Sequence, residues 1–160
     1  MPASNITAST RYYRPDVSTI VFASAVANKN SPTRAEINAG TALENEIAEV
    51  AGFSVQSATV DTPDLGSRFI SQVDGDITVE DSSITFWASS NSTDVRGLLP
   101  RGTVGFLLFM DESDTSGRRG YTFPIKVTST SPIRERDGGA RVTVSFAVTS
   151  EPGEYWVVPA

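Results

Sequence analysis

The chain has 160 residues, enough for one domain with a sizeable core and too few for two. It contains no cysteine and no histidine, which excludes disulfides, thiolate metal sites, cysteine nucleophiles, Ser-His triads and the commonest zinc ligand. Nineteen acidic residues against thirteen basic ones give a formal charge of −6, which opposes a tight, sequence-independent grip on nucleic acid but leaves room for DNA to slide past.

No apolar stretch approaches the length of a membrane span, and no membrane anchoring is expected. Residues 1–10 lack the basic and apolar blocks of a signal peptide, which predicts a protein made and kept in a cytoplasm. Only two of the thirteen cations are lysine, and the arginines form no cluster beyond Arg118-Arg119. Arginine is favoured at protein contacts for its planar fork, although a coding bias explains the same preference.

In chain order, "STIVFASAV" (18–26) predicts a short strand. Residues 32–38 predict a helix with Ser31 as cap, Pro32 in its first turn and Gly40 closing it. Residues 41–51 are ambiguous. Thr41 and Glu44 fit a capping box, Leu43, Ile47, Val50 and Ala51 recur at helical spacing, and Gly52 suits a C-cap, so periodicity alone favours helix. Phe53 and Val55 then alternate with Ser54 and Gln56, so a strand must have begun by there. Residues 57–83 carry no strong core pattern, and loops of that length in compact domains are usually functional or disordered.

"SSITFWASS" (82–90) predicts a short strand, residues 93–99 a helix stopped by Pro100, and residues 103–111 an apolar strand covered on both faces. "YTFPIKVTS" and "ARVTVSFAVTS" alternate cleanly. Tyr121, Phe123, Ile125 and Val127, and Val142, Val144, Phe146 and Val148, define one buried face each. Asp137-Gly138-Gly139 between them predicts an antiparallel hairpin, and Pro124 belongs at an edge or a bulge. The fold class expected is mainly β: one sandwich or barrel domain over 1–160, with one or two short helices and a long inter-strand loop.

Acidic groups that could hold chemistry are weak candidates. Asp74, Asp76, Glu80 and Asp81 fail the fixed offsets of a calcium loop and read as a solvated turn. Asp111 to Asp114 reads as a hairpin tip ahead of Ser116-Gly117. No carboxylate pair shows the setting of a glycosidase. Neither enzymatic activity nor a cofactor nor a metal is expected.

The order and spacing of several segments resemble the major tail tube proteins of long-tailed, non-contractile bacteriophages, most closely those of actinobacterial phages. These segments are "PTRAEINAG", "EIAEVAG", "SATVDTPDL", "TPDLGSRF", "VDGDITVEDS", "EDSSITF", "LLPRGT" and "RVTVSFAVTSEP". The resemblance spans about residues 10–160. It implies a strand over 45–60, against the helical periodicity of 41–51, and such an override is what packing on a sheet produces. It further implies subunits that close into hexameric rings, rings that stack into a helical tube, and a bore through which DNA passes as transient, non-specific cargo. Other tail proteins (tape measure, tail tip, terminator) would be its partners, and the virion tail its place, after synthesis in the host bacterial cytoplasm.

On that resemblance residues 58–81 form an assembly loop, residues 1–10 an N-terminal arm and 151–160 a C-terminal arm. Thr59, Asp61, Thr62, Asp64, Leu65, Arg68, Phe69 and Ile70 become candidates for subunit and ring contacts, with Arg68 as an interfacial ion-pair partner. The bore is expected to be acidic, so that phosphates are not held, with Glu46 and Glu49 as candidates. Those two glutamates lie on opposite faces of a regular strand unless a bulge intervenes. A tube or terminator protein of a contractile injection machine is the alternative within the same fold. A β-sandwich module that binds glycan or receptor is the alternative of another class.

Overall fold

A computed structural model of the chain describes residues 6–91 and 93–160. Its elements are β1 (Thr19–Ala23), α1 (Arg34–Ala39), β2 (Thr41–Ala42), a short 3-10 turn (Glu44–Glu46), β3 (Ile47–Ala51), β4 (Val55–Thr62), β5 (Ser71–Val79), β6 (Ser82–Trp87), α2 (Val95–Leu98), β7 (Val104–Met110), β8 (Arg119–Ile133), β9 (Arg141–Val148) and β10 (Gly153–Val157). The domain is mainly β, as the alternating patterns predict.

One antiparallel sheet runs in the order β2-β1-β7-β8-β9-β6-β3, with β10 also paired to β8. The chain itself joins the two ends of this order, passing from β2 through the 3-10 turn into β3, so the sheet curls around one interior. Ile20 and Phe22, Leu107 and Phe109, Phe123 to Val127, Val142 to Phe146, and Ile84 and Phe86 fill that interior at alternate positions, with Leu43, Val95 and Leu99 plugging its ends. A second, smaller cluster lies on the other side of β1 and β7, where α1 and the C-terminal segment cover Val21, Ala23, Leu108 and Met110. β7 is therefore buried on both faces, which is why its sequence is continuously apolar. Trp156 completes this outer layer by lying on Gly120, where an added Cβ would stand 2.5 Å from its ring.

Several boundaries differ from the sequence reading. The cap of α1 is Thr33, not Ser31: Thr33 and Glu36 exchange the two bonds of a capping box, and Gly40 closes the helix as expected. In the second helix Asp94 is the cap, and only Val95–Leu98 is helical. Residues 151–160 are not a free arm, because β10 pairs with β8 and buries Trp156 and Val158. Pro124 sits neither at a sheet edge nor in a bulge. Its carbonyl accepts the Thr149 N–H (2.9 Å), and its missing N–H points the same way, into the gap where β8 changes partner from β10 to β9.

Residues 41–51 hold no α-helix. Thr41 and Ala42 pair with Phe22 and Val21, and only Glu44–Glu46 makes a helical turn before β3 begins. The strand implied over 45–60 exists as two, β3 and β4, separated by a corner at 52–54. Leu43 and Ile47, whose spacing suggested a helix, instead bury themselves in the core from a turn and a strand.

Phe146 is 5% exposed in this core, so Phe146→Ala should lower stability by roughly 3–5 kcal/mol in urea unfolding. A loss below about 1 kcal/mol would contradict the assignment of its face.

A second expectation concerns acid. The Asp94 side chain is 1% exposed and accepts bonds from Arg96 and from the Ser89 and Arg96 N–H groups. The Arg96 side chain, above all, holds its pKa down to about 2 from the ordinary 3.8. A depressed carboxylate stabilises fully above its unfolded pKa and loses that contribution as pH falls through its folded one. Asp94→Asn should therefore remove part of the fall in melting temperature between about pH 4 and pH 2.

Candidate assembly surface

Where a long loop was expected, the chain makes a two-stranded ribbon. β4 and β5 pair antiparallel from Val55↔Val79 out to Thr62↔Ser71, so residues 58–81 are mostly strand and only 63–70 form a turn. Residues 74–79 of the expected solvated turn are instead β5, interrupted by one bulge where Gly75 and Asp76 face Ala58, and only Glu80 and Asp81 stand between strands. Pairing satisfies the backbone here without a core, and that is why the segment carries no core pattern.

β3–β4 and β5–β6 together are one long hairpin bent at its waist. The bend is a left-handed corner, Gly52 (φ 80°) and Phe53 (φ 57°). Gly52 has a second reason to be glycine: a Cβ there would lie 2.3 Å from the Asp81 carbonyl oxygen. Phe53 tolerates the strained backbone because its ring packs against Phe109, Phe123 and Phe146, with centroids 4.9, 5.3 and 5.9 Å away. The Phe53 N–H donates to Ser82 Oγ (3.0 Å), the Ser82 hydroxyl donates to the Glu80 carbonyl (2.8 Å), and the Glu80 N–H donates to the Ser54 carbonyl (3.1 Å). The ribbon's base is fixed on the core while its length stands away from it.

Beyond the base both faces are bare. Val60, Val73 and Ile77 are about half exposed, Phe69 is 77% exposed and Leu65 fully so. The sequence-predicted contact residues divide in two. Asp61 accepts from Gln72 (2.7 Å), Thr62 shares a bond with Ser71 (2.9 Å), and Asp64 accepts the Gly66 N–H (2.7 Å), so these three shape the ribbon itself. Leu65, Phe69 and Ile70 are presented at the tip, Thr59 lies on the ribbon's side, and Arg68 makes no ion pair among the described residues. Sequence reasoning missed Val60, Val73 and Ile77. Val60 pairs with Val73 on one face of the ribbon and the bulge puts Ile77 on the other, so their alternation marks no single buried face.

A second surface is the outer face of β3-β6-β9-β8. Opposite one another across these strands stand Glu49, Thr85, Thr143 and Ser131, and beside them Ala51, Ser83, Ser145 and Ser129. Thr85 and Thr143 share a hydroxyl bond (3.1 Å). A bulge between Ile47 and Glu49 turns Glu49 onto this face, while Glu46 lies outside the strand on the 3-10 turn; both are exposed. The face is flat, hydroxylated and carries one acid. Its cations, Lys126 and Arg141, sit at its margins, and Arg141 is paired with Glu135 (2.7 Å).

Among the described residues no group of three acidic side chains could hold a metal ion. No helix there is long and apolar enough to cross a membrane.

The family profile described as phage tail tube protein matches residues 7–160. The chain belongs to the phage tail tube protein family. No curated protein matches it. Among solved structures it is similar to a chain in the tail of an empty GTA particle, refined helically with C6 symmetry. That match has 15% identity, a TM-score of 0.57, and covers 90% of this chain and 98% of the other. A chain in the virion of a native gene transfer agent particle is 15% identical over 72% of this chain and 88% of its own, with a TM-score of 0.49. An Hcp protein is 12% identical over 88% and 100%, with a TM-score of 0.43. As a member of this tail tube family the chain is a structural component of a virion tail, and the first of these structures shares its fold.

The exposed tip can be altered without touching the core. Leu65→Ser and Phe69→Ser together should leave the monomer's melting unchanged within about 0.5 kcal/mol, since neither side chain packs on the core. The same pair should abolish or sharply weaken tube formation by sedimentation.

Proposed function

We propose that the chain acts only as a structural subunit, without catalysis, and that copies of it close into rings and stack into a tube through the β4–β5 ribbon. The observation that carries this is the bare ribbon. An isolated two-stranded hairpin is marginal in water, and a flat strand pair with free edges and apolar side chains invites pairing. Six apolar side chains (Val60, Leu65, Phe69, Ile70, Val73 and Ile77) stand exposed on it. Burying each against a neighbour contributes roughly 1.5–3 kcal/mol, enough to drive ordered assembly. Six-fold rings are supported by the C6 symmetry of the structure that shares the fold. The tape measure, tail tip and terminator proteins are the further partners this reading implies.

The bore is the hydroxyl face. Serine and threonine offer DNA little to grip, Glu49 repels phosphate, and the marginal cations are paired or peripheral. Glu46, outside the strand on the 3-10 turn, is not part of this face.

Replacing residues 60–73 by Asn-Gly, which joins the paired residues Thr59 and Asp74 by a two-residue turn, tests the reading. The variant should melt cooperatively near the wild-type temperature yet show neither rings nor tubes by negative-stain microscopy. Loss of cooperative melting would place the ribbon in the core and overturn the proposal.

A further inference from the structure

The C-terminal strand is laid onto the body as a separate layer. β10 pairs with β8 alone, through Gly153↔Thr122, Trp156↔Gly120 and Val157↔Arg119, and the register shifts between the first two pairs. No strand pairs with its other edge among the described residues. Tyr155, inside that shift, holds a left-handed backbone (φ 56°) with its side chain 61% exposed beside Tyr121. The side chains that β10 and Val158 bury belong to the small outer cluster of Val21, Leu108 and Met110, and not to the barrel interior. The sheet is also interrupted at the near end of this layer, where Pro124 offers no N–H between the β10 and β9 stretches of β8.

Under the layer lie two polar groups that the fold does not satisfy. Thr122 is fully buried and faces the outer cluster, opposite Leu108 on one side and Gly153 on the other. Its Oγ1 and the Trp156 Nε1 are buried without a hydrogen-bond partner among the described residues. Closing the strand takes both from water, which offsets part of what burying Trp156 and Val158 contributes. The bonds that hold it shut stand at its two ends. At one, Lys29 Nζ donates to the Glu151 carbonyl. At the other, the Val158 N–H donates to the Arg118 carbonyl (2.8 Å), and Arg34 joins the Pro159 carbonyl (2.6 Å) to Asp114 (2.5 Å).

We propose that residues 150–160 form a strap that opens and closes as one unit while the barrel stays folded. Opening returns the Thr122 hydroxyl and the Trp156 indole to water, frees the β8 edge at Arg119–Thr122 and uncovers part of the outer cluster. β8 keeps its place meanwhile through β7 and, beyond Pro124, through β9, so nothing in the barrel interior has to move. Sub-global opening belongs to layers of this kind, whose apolar contacts lie outside the main core. The strap is a property of the lone subunit, whatever copies of the chain assemble into.

Hydrogen exchange on the full chain, followed residue by residue, tests this. The Gly117 and Val158 amides bond across the strap, and they should exchange roughly tenfold or more faster than the β6–β9 amides. Their rates should barely respond to urea below the unfolding transition, whereas the β6–β9 rates climb steeply. Ile84→Val, in the barrel interior, should speed β6–β9 exchange roughly fivefold and leave the strap amides unmoved. Thr122→Val keeps the side chain's shape and removes the unpaired hydroxyl, so it should slow strap exchange roughly tenfold. Gly120→Ala puts a Cβ 2.5 Å from the Trp156 ring and should speed strap exchange by as much. Strap amides that share the urea slope of the barrel, or that answer Ile84→Val as the barrel does, would reveal one cooperative unit and overturn the strap. Failure of either β8 substitution to move strap exchange in its stated direction would overturn it as well.

Discussion

The corner at Gly52–Phe53 is the constraint on which the architecture turns. Two successive residues in the left-handed region redirect a hairpin that would otherwise continue as part of the barrel wall. Such a backbone persists only where its surroundings hold it, and here a four-phenylalanine cluster does so from the inside. The corner thus converts core packing into the direction of the ribbon. Its Ser82 and Glu80 bonds lock both strands of the hairpin at the same point, so the ribbon leaves the body as a lever and not as a loose loop.

What the corner exposes, the rest of the molecule does not cover. The barrel closes its own interior, α1 and Trp156 close the outer cluster, and the short β2 leaves little free edge beside β1. The ribbon keeps six apolar side chains and its strand edges in water, beside scattered exposed ones such as Trp87, Val104, Tyr155 and Val157. A monomer built this way is packed in its body and bare along its ribbon. The two surfaces differ in kind: the ribbon is apolar and acidic, while the hydroxyl face carries mostly serine and threonine with Glu49 as its one acid.

Several polar side chains serve geometry. Asp94 caps a helix, Glu36 closes a capping box, and Asp61, Thr62 and Asp64 shape the ribbon. The family's role as a tail tube is consistent with side chains spent on shape and contact.

By itself the sequence determined the strands that have one wet face. The alternation of Val142 to Phe146 and the continuous run of β7 name their buried residues, whereas in β8 Thr122 and Pro124, expected on the wet face, are buried as well, under β10. It also marked 58–81 as a segment apart from the core, through the absence of such a period. It did not determine that this segment is a ribbon, since a hairpin covered on neither face has no pattern to read and its one bulge shifts the register. Nor did it settle residues 41–51, where Leu43 and Ile47 meet the same core from a turn and a strand at a spacing that also fits a helix. Only the tertiary structure decided that Glu49 faces the hydroxyl surface and that Pro124's missing donor falls where two strands exchange. Each of these depends on which strands become neighbours, and neighbours distant in the chain leave no local trace in it.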